Sequence, residues 1–138
     1  MRILVIDDSR EDRDLAITYI HKANSIPDMT TDESNCLEGA LEKLKENDYD
    51  VILLDLILPE TDGLDTIKEI QKFLEKNNKN TPIIILTGLE DYELGKKAFS
   101  LGISEFLIKD EMESSSLSRA IKFATHGKKL KEQPSVNV

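Results

Sequence analysis

Apolar residues along this chain fall into two kinds of run. Ile3-Leu4-Val5-Ile6, Val51-Ile52-Leu53-Leu54, Ile83-Ile84-Ile85-Leu86 and Phe106-Leu107-Ile108 are short and nearly continuous, as expected of parallel strands covered by helices on both faces. Between them the apolar positions thin out to helical spacing. Ala16, Tyr19, Ile20 and Ala23 form one such set; Leu37, Ala40, Leu41 and Leu44 a second; Ile67, Ile70 and Leu74 a third. Leu94, Ala98 and Leu101, then Leu117, Ala120, Ile121 and Ala124, complete the series. Each set draws one buried stripe on a helix. Strands alternating with helical segments call for βαβ units and a mostly parallel sheet.

The segment from about Asp28 to Glu33 is polar, and only Met29 and the adjoining threonines recommend it as a strand. An edge position explains that polarity. Five strands and five helices result, an α/β chain. Local signals punctuate them: Ser9 caps the first helix, and Asn35 with Glu38 has capping-box spacing ahead of the second. Asp62-Gly63 marks the turn into the third, while Gly127 and Pro134 end the last.

At 138 residues the chain fits one domain that can bury a core without disulfide or metal staples. We expect that domain to span residues 1–126, with 127–138 a C-terminal tail or the start of a linker. No stretch approaches the roughly 20 apolar residues needed to span a bilayer, and the start lacks a secretory signal, so a cytoplasmic, membrane-free protein is expected. The single cysteine, Cys36, falls on an apolar helical stripe and reads as core filler. A net charge of −9 repels phosphate backbones and argues against direct nucleic-acid binding; a protein partner fits better. Lys128, Lys129 and Lys131 make a basic tail that a solvated terminus explains. His21 and His126 read as surface residues.

The chemistry lies where the strands stop. The four apolar runs end at Asp7-Asp8, Asp55, Thr87 and Lys109. In a parallel sheet these carboxyl ends share one edge, where open α/β sheets bind ligands. Taken singly, an Asp-Asp pair caps a helix, a strand-end lysine is solvated, a threonine closes a turn and Phe106 is core aromatic. Taken together, they put three carboxylates, a hydroxyl and an ammonium in one pocket.

Asp7-Asp8, the run Asp55 to Pro59 with Asp62-Gly63, Thr87-Gly88, and Phe106 three places before Lys109 resemble the receiver domain of two-component response regulators, over roughly residues 1 to 125. The resemblance implies a flavodoxin-like, doubly wound (βα)5 fold with strand order 2-1-3-4-5. It implies a phosphorylation-switched signalling module in which Asp55 accepts a phosphoryl group from a sensor histidine kinase or phosphotransfer protein. Asp8, Asp55 and the Ile57 backbone carbonyl would bind magnesium or manganese, with Asp7 holding the metal through water. Three neighbouring carboxylates favour a hard divalent ion, and phosphoryl transfer needs positioning and charge neutralisation above all. Lys109 and Thr87 would contact the new phosphoryl oxygens, and Gly88 would leave room for them. Thr87 and Phe106 would form the switch, changing the surface of the fourth helix, fifth strand and fifth helix. That surface would act on a downstream protein partner or output domain, and could pair two copies as a homodimer.

Ile57 and Leu89 would flank the path of a hydrolytic water, and both are apolar, which implies a long-lived phosphoaspartate. Where most receivers place proline after the lysine, Asp110 follows Lys109 here, so a trans peptide and a differently shaped loop are expected. The segment from Lys109 to Ile121 resembles receivers attached to sensor kinases or nucleotide cyclase domains. The chain itself would catalyse only its own phosphorylation and dephosphorylation, without turnover of a free substrate. Three alternatives remain beside this reading. A phosphatase of the haloacid-dehalogenase type needs a second aspartate two residues after the nucleophile, where Ile57 stands. A phosphorylation-independent scaffold predicts loss of an acid, the lysine or the hydroxyl, and all are present. A flavodoxin-like flavin binder needs a Ser, Thr and Gly run in the first loop.

Overall fold

The computed structural model describes every residue except 24, 25, 27, 59–61, 89, 90 and 133–138, with residues 128–132 described by backbone alone. Pro59, Leu89 and Pro134 therefore lie outside the described residues. Strands β1 (Arg2–Ile6), β2 (Thr30–Ser34), β3 (Val51–Leu54), β4 (Ile83–Thr87) and β5 (Glu105–Ile108) alternate with helices α1 (Arg10–Lys22), α2 (Leu37–Glu46), α3 (Gly63–Lys76), α4 (Tyr92–Ser100) and α5 (Ser114–Glu132). All strand pairs are parallel and the sheet order is β2-β1-β3-β4-β5, the doubly wound order the resemblance implied.

Because side chains alternate across a strand, each apolar run feeds two cores. Leu4, Ile6, Ile52, Leu54 and Ile85 point to one face, where Ala40 and Leu44 of α2, Ile67, Ile70 and Leu74 of α3, and Ala98 of α4 cover them. Ile3, Val5, Val51, Leu53, Ile84 and Leu86 point to the other, under Ala16 and Ile20 of α1 and Leu117, Ala120, Ile121 and Ala124 of α5. The polar segment forms the edge strand β2, shifted by two residues from its expected start.

Two local expectations are corrected. The cap of α2 is Cys36, whose Sγ accepts the Gly39 N–H at 3.4 Å; Asn35 lies outside the helix. Cys36 is therefore a half-buried cap rather than a residue on the helical stripe. The last helix also runs through Gly127 to Glu132, so Gly127 does not end it. A glycine stops a helix when it turns left-handed, and Gly102 is the only described glycine with positive φ. His21 and His126 are exposed.

Candidate phosphoryl-acceptor and metal site

The site forms at the carboxyl edge of β1, β3 and β5. The chain leaves β1 at Asp7, whose N–H donates to Ser34 of β2 at 3.0 Å, and turns into α1 through Ser9. Ser9 N–H donates to Asp7 Oδ1 at 3.0 Å, while Ser9 Oγ accepts the Asp12 N–H at 3.2 Å and caps the helix. Arg13 donates to the Asp7 carbonyl at 2.7 Å. These bonds fix the Asp7 carboxylate in the pocket, 5% exposed, while Asp8 beside it faces solvent. Asp55 leaves β3 in the same way: its N–H donates to the Ile6 carbonyl at 2.9 Å, and its Oδ1 accepts the Ile57 N–H at 3.0 Å. Asp55 is also 5% exposed, whereas Ile57 is half-exposed beside it.

Lys109 opens a 3-10 turn (Lys109–Glu111) directly after β5, and no described peptide bond is cis. Its Nζ donates to Asp7 Oδ2 at 2.6 Å, Asp55 Oδ2 at 2.8 Å and Asp12 Oδ2 at 2.8 Å. An ammonium has three donors, and each has its own carboxylate. Burial opposes the charge on Lys109, but its bonds to Asp12, Asp55 and Asp7 outweigh it and hold its pKa above the ordinary lysine value. For Asp7 burial wins: it raises the carboxyl pKa, with the Asp55 charge adding to it, against the bonds from Lys109 and Ser9.

Oxygens of Asp7, Asp8 and Asp55 all lie within 4.8 Å of one another. Such an all-oxygen, triply anionic group, open to water on the Asp8 side, fits a hard divalent cation that keeps part of its hydration. Thr87 ends β4, fully buried, opposite Ile108 in the β4–β5 register. A Cβ on Gly88 would meet no described atom within 4 Å, so the space above the edge is open there. Phe106 pairs with Ile85 across the sheet, half-buried against α4, with ring atoms 4.0 Å from where a Gly95 Cβ would be.

The structure thus brings Asp7, Asp8, Asp55 and Lys109 together. It adds Asp12, which motif reading missed. The available signal was the Ser9-x-x-Asp12 spacing, which places an acid on the first turn of the helix that starts at this edge. A larger cavity, of about 600 Å³, lies at the other end of the sheet, lined by Lys79, Pro82, Glu105 and Phe123 among others, and shares no residue with this group. No described helix is long and apolar enough to cross a membrane.

Comparison with known proteins bears on the fold and the family. The family model of the response regulator receiver domain matches residues 3–122. Transcriptional regulatory protein ResD of Bacillus subtilis is 33% identical over 108 residues, covering 78% of this chain and 41% of that protein. CusR of Escherichia coli is 28% identical over 79% of this chain and 44% of its own length. The chain thus spans less than half the length of these curated relatives. Among solved structures, a response regulator receiver domain protein from Clostridium thermocellum has TM-score 0.79 at 28% identity, covering 94% of this chain and 98% of that one. The receiver domain of a Francisella response regulator has TM-score 0.75 at 26% identity, covering 92% and 98%. Fold, strand-end residues and sequence match converge, and the chain belongs to the response regulator receiver domain family of two-component signal transduction.

Proposed function

We propose that Asp55 accepts a phosphoryl group from the phosphohistidine of a sensor histidine kinase or phosphotransfer protein in the cytoplasm, and that the resulting phosphoaspartate switches a protein-binding surface. The observation that carries this reading is the Lys109 ammonium, held at 2.8 Å from Asp55 Oδ2 and 2.6 Å from Asp7 Oδ2. In the transfer, an Asp55 carboxylate oxygen forms the new O–P bond as the N–P bond of the donor breaks. Lys109 is placed to exchange its bond to the carboxylate for one to a phosphoryl oxygen, a charge-assisted contact. Thr87, at the end of β4, is the second donor in this reading.

Magnesium or manganese held by Asp7, Asp8, Asp55 and the Ile57 carbonyl would neutralise charge on the transferring group. Thr87 and Phe106 form the switch: drawing the hydroxyl toward the phosphoryl group vacates space for the ring, a bistable packing change. Phe106 carries no hydroxyl, so packing against α4 sets its position. The changed surface is α4-β5-α5, which would contact a downstream protein, an output domain beyond this chain, or a second copy. A net charge of −9 makes this chain itself a poor nucleic-acid binder. In this reading the chain is not a turnover enzyme; its chemistry is the phosphorylation and dephosphorylation of its own Asp55.

Incubation with acetyl phosphate and magnesium, read by intact mass, tests the reading. Wild type gains one phosphoryl group, and Asp55→Asn or a metal chelator abolishes the gain. No gain in wild type would leave the phosphorylation-independent scaffold. The apolar Ile57, with Leu89, gives a long phosphoryl lifetime, and Ile57→Asn shortens its decay several-fold in the same assay by offering water a polar partner.

A further inference from the structure

The ammonium of Lys109 has one partner that the reading above does not use. Two of its carboxylates, Asp7 and Asp55, belong to the three-acid group, and Asp55 is also the phosphoryl acceptor in the reading above. The third, Asp12, stands outside that group on α1, and its side chain is 42% exposed where Lys109 is 18% and Asp55 6%. Its carboxylate is not spent on capping, because the Ser9 N–H that a capping-box acid at this position would accept donates to Asp7 Oδ1 instead. It therefore serves the lysine.

We propose that Asp12 is a positioning residue whose carboxylate holds the Lys109 ammonium over Asp55 while the other two carboxylates change partners. A cation among Asp7, Asp8 and Asp55 would repel the ammonium and compete with it for the Asp7 and Asp55 carboxylates. A lysine stem has many rotamers, and with no anion outside the metal group the charge would swing into water. Asp12, in contact at 2.8 Å and partly in solvent, keeps its bond through that exchange. One donor stays anchored on α1, and the remaining two face the acceptor. This inference rests on the phosphoryl-acceptor reading, but one arm of its test does not.

That arm is nitrogen-detected NMR of lysine ammonium groups with saturating magnesium, since ammonium protons persist only where hydrogen bonds hold them. Wild type and Asp12→Glu keep a signal that Lys109→Met removes; Asp12→Asn loses it to exchange with water. A wild type without the signal, or an Asp12→Asn protein that retains it, overturns the proposal. In the second arm, acetyl phosphate labelling by intact mass, Asp12→Asn slows phosphorylation roughly threefold to fivefold, the worth of a part-exposed ion pair, and Asp12→Glu restores most of the rate. In a Lys109→Met background the same substitution changes nothing further. An equal effect in both backgrounds would show Asp12 acting through bulk charge and overturn the proposal. A wild type that gains no phosphoryl group sinks the acceptor reading instead and leaves the NMR arm to judge Asp12. Circular dichroism checks that each variant folds.

Discussion

Tyr49 shows at the residue scale how the end of the sheet away from the site is locked. Only 2% exposed, it donates its hydroxyl to Asp32 Oδ2 at 2.6 Å. Arg2 pairs with the same carboxylate at 2.9 Å and lies 5.4 Å from the tyrosine ring centre. The Tyr49 bond, more than Arg2 and against burial, holds Asp32 below its ordinary pKa. Burial, then the Asp32 bond and charge, pushes Tyr49 up from 10.0 to about 12. The folded chain therefore keeps the phenolic proton longer than the unfolded one. By linkage, this contribution to stability is whole below pH 10.0 and is lost as pH rises through about 12. Asp32 works oppositely: its share is whole above 3.8 and is lost as pH falls. Tyr49→Phe should cost roughly 1.5 kcal/mol in urea unfolding at neutral pH, the lower range for a bond to a charged group. It should also remove the late phenolate step seen by ultraviolet absorbance; a variant that keeps that step would refute the assignment. None of this was legible in the sequence, because Arg2, Asp32 and Tyr49 meet only through strand pairing, and no local spacing joins them.

At the element scale, two helical glycines differ in what surrounds them, and stability should register the difference. Gly95 is buried in α4, where an added Cβ would sit 4.0 Å from the Phe106 ring, an ordinary contact. Gly95→Ala should then stabilise the chain by roughly 0.5–1 kcal/mol, since glycine costs that much in a helix interior. Gly39, in the first turn of α2, has the Ser34 hydroxyl 2.8 Å from the same imagined atom. That hydroxyl is buried and donates to the Cys36 carbonyl at 2.8 Å, so displacing it breaks the turn that caps α2. Overpacking costs about 1–3 kcal/mol, and Gly39→Ala should destabilise despite its better helix propensity. Denaturant midpoints of both variants check the pair, and two shifts of the same sign would contradict it. The stripes of all five helices and the three central strands were readable from periodicity, because burial on both faces leaves a continuous apolar run. Caps and ends were read less well. Cys36 and Asn35 are adjacent, and only backbone dihedrals decide which is half in the helix; Gly127 can end a helix or ride in one, and its φ decides.

For the whole molecule, strands with apolar middles present polar groups at their ends, charged on β1, β3 and β5 and a hydroxyl on β4, and the two roles pull against each other. The Ile, Leu and Val runs supply two cores, whereas Asp7, Asp8 and Asp55 are acids held within 4.8 Å of one another. Their presence at strand ends was plain in the sequence, since a run of apolar residues makes the first acid after it conspicuous. Their partner Asp12 was not, since an acid on the first turn of a helix is ordinary there. One ammonium cannot neutralise the group, because Lys109 brings one positive charge to four aspartates when Asp12 is counted with the other three. Folding gathers this repulsion, and unfolding disperses it. A divalent cation that binds only the gathered form should therefore stabilise the fold by mass action, about 2.7 kcal/mol at a hundred times its dissociation constant. Thermal unfolding with magnesium against chelator should show a rise of several degrees, saturating with metal concentration. Asp55→Asn removes one of the three clustered carboxylates, so its increment should shrink, while Glu11→Gln, an exposed neutralisation on the same first turn of α1, should leave it intact. Equal melting temperatures with and without magnesium in wild type would mean that these carboxylates, however close, do not form a cation site.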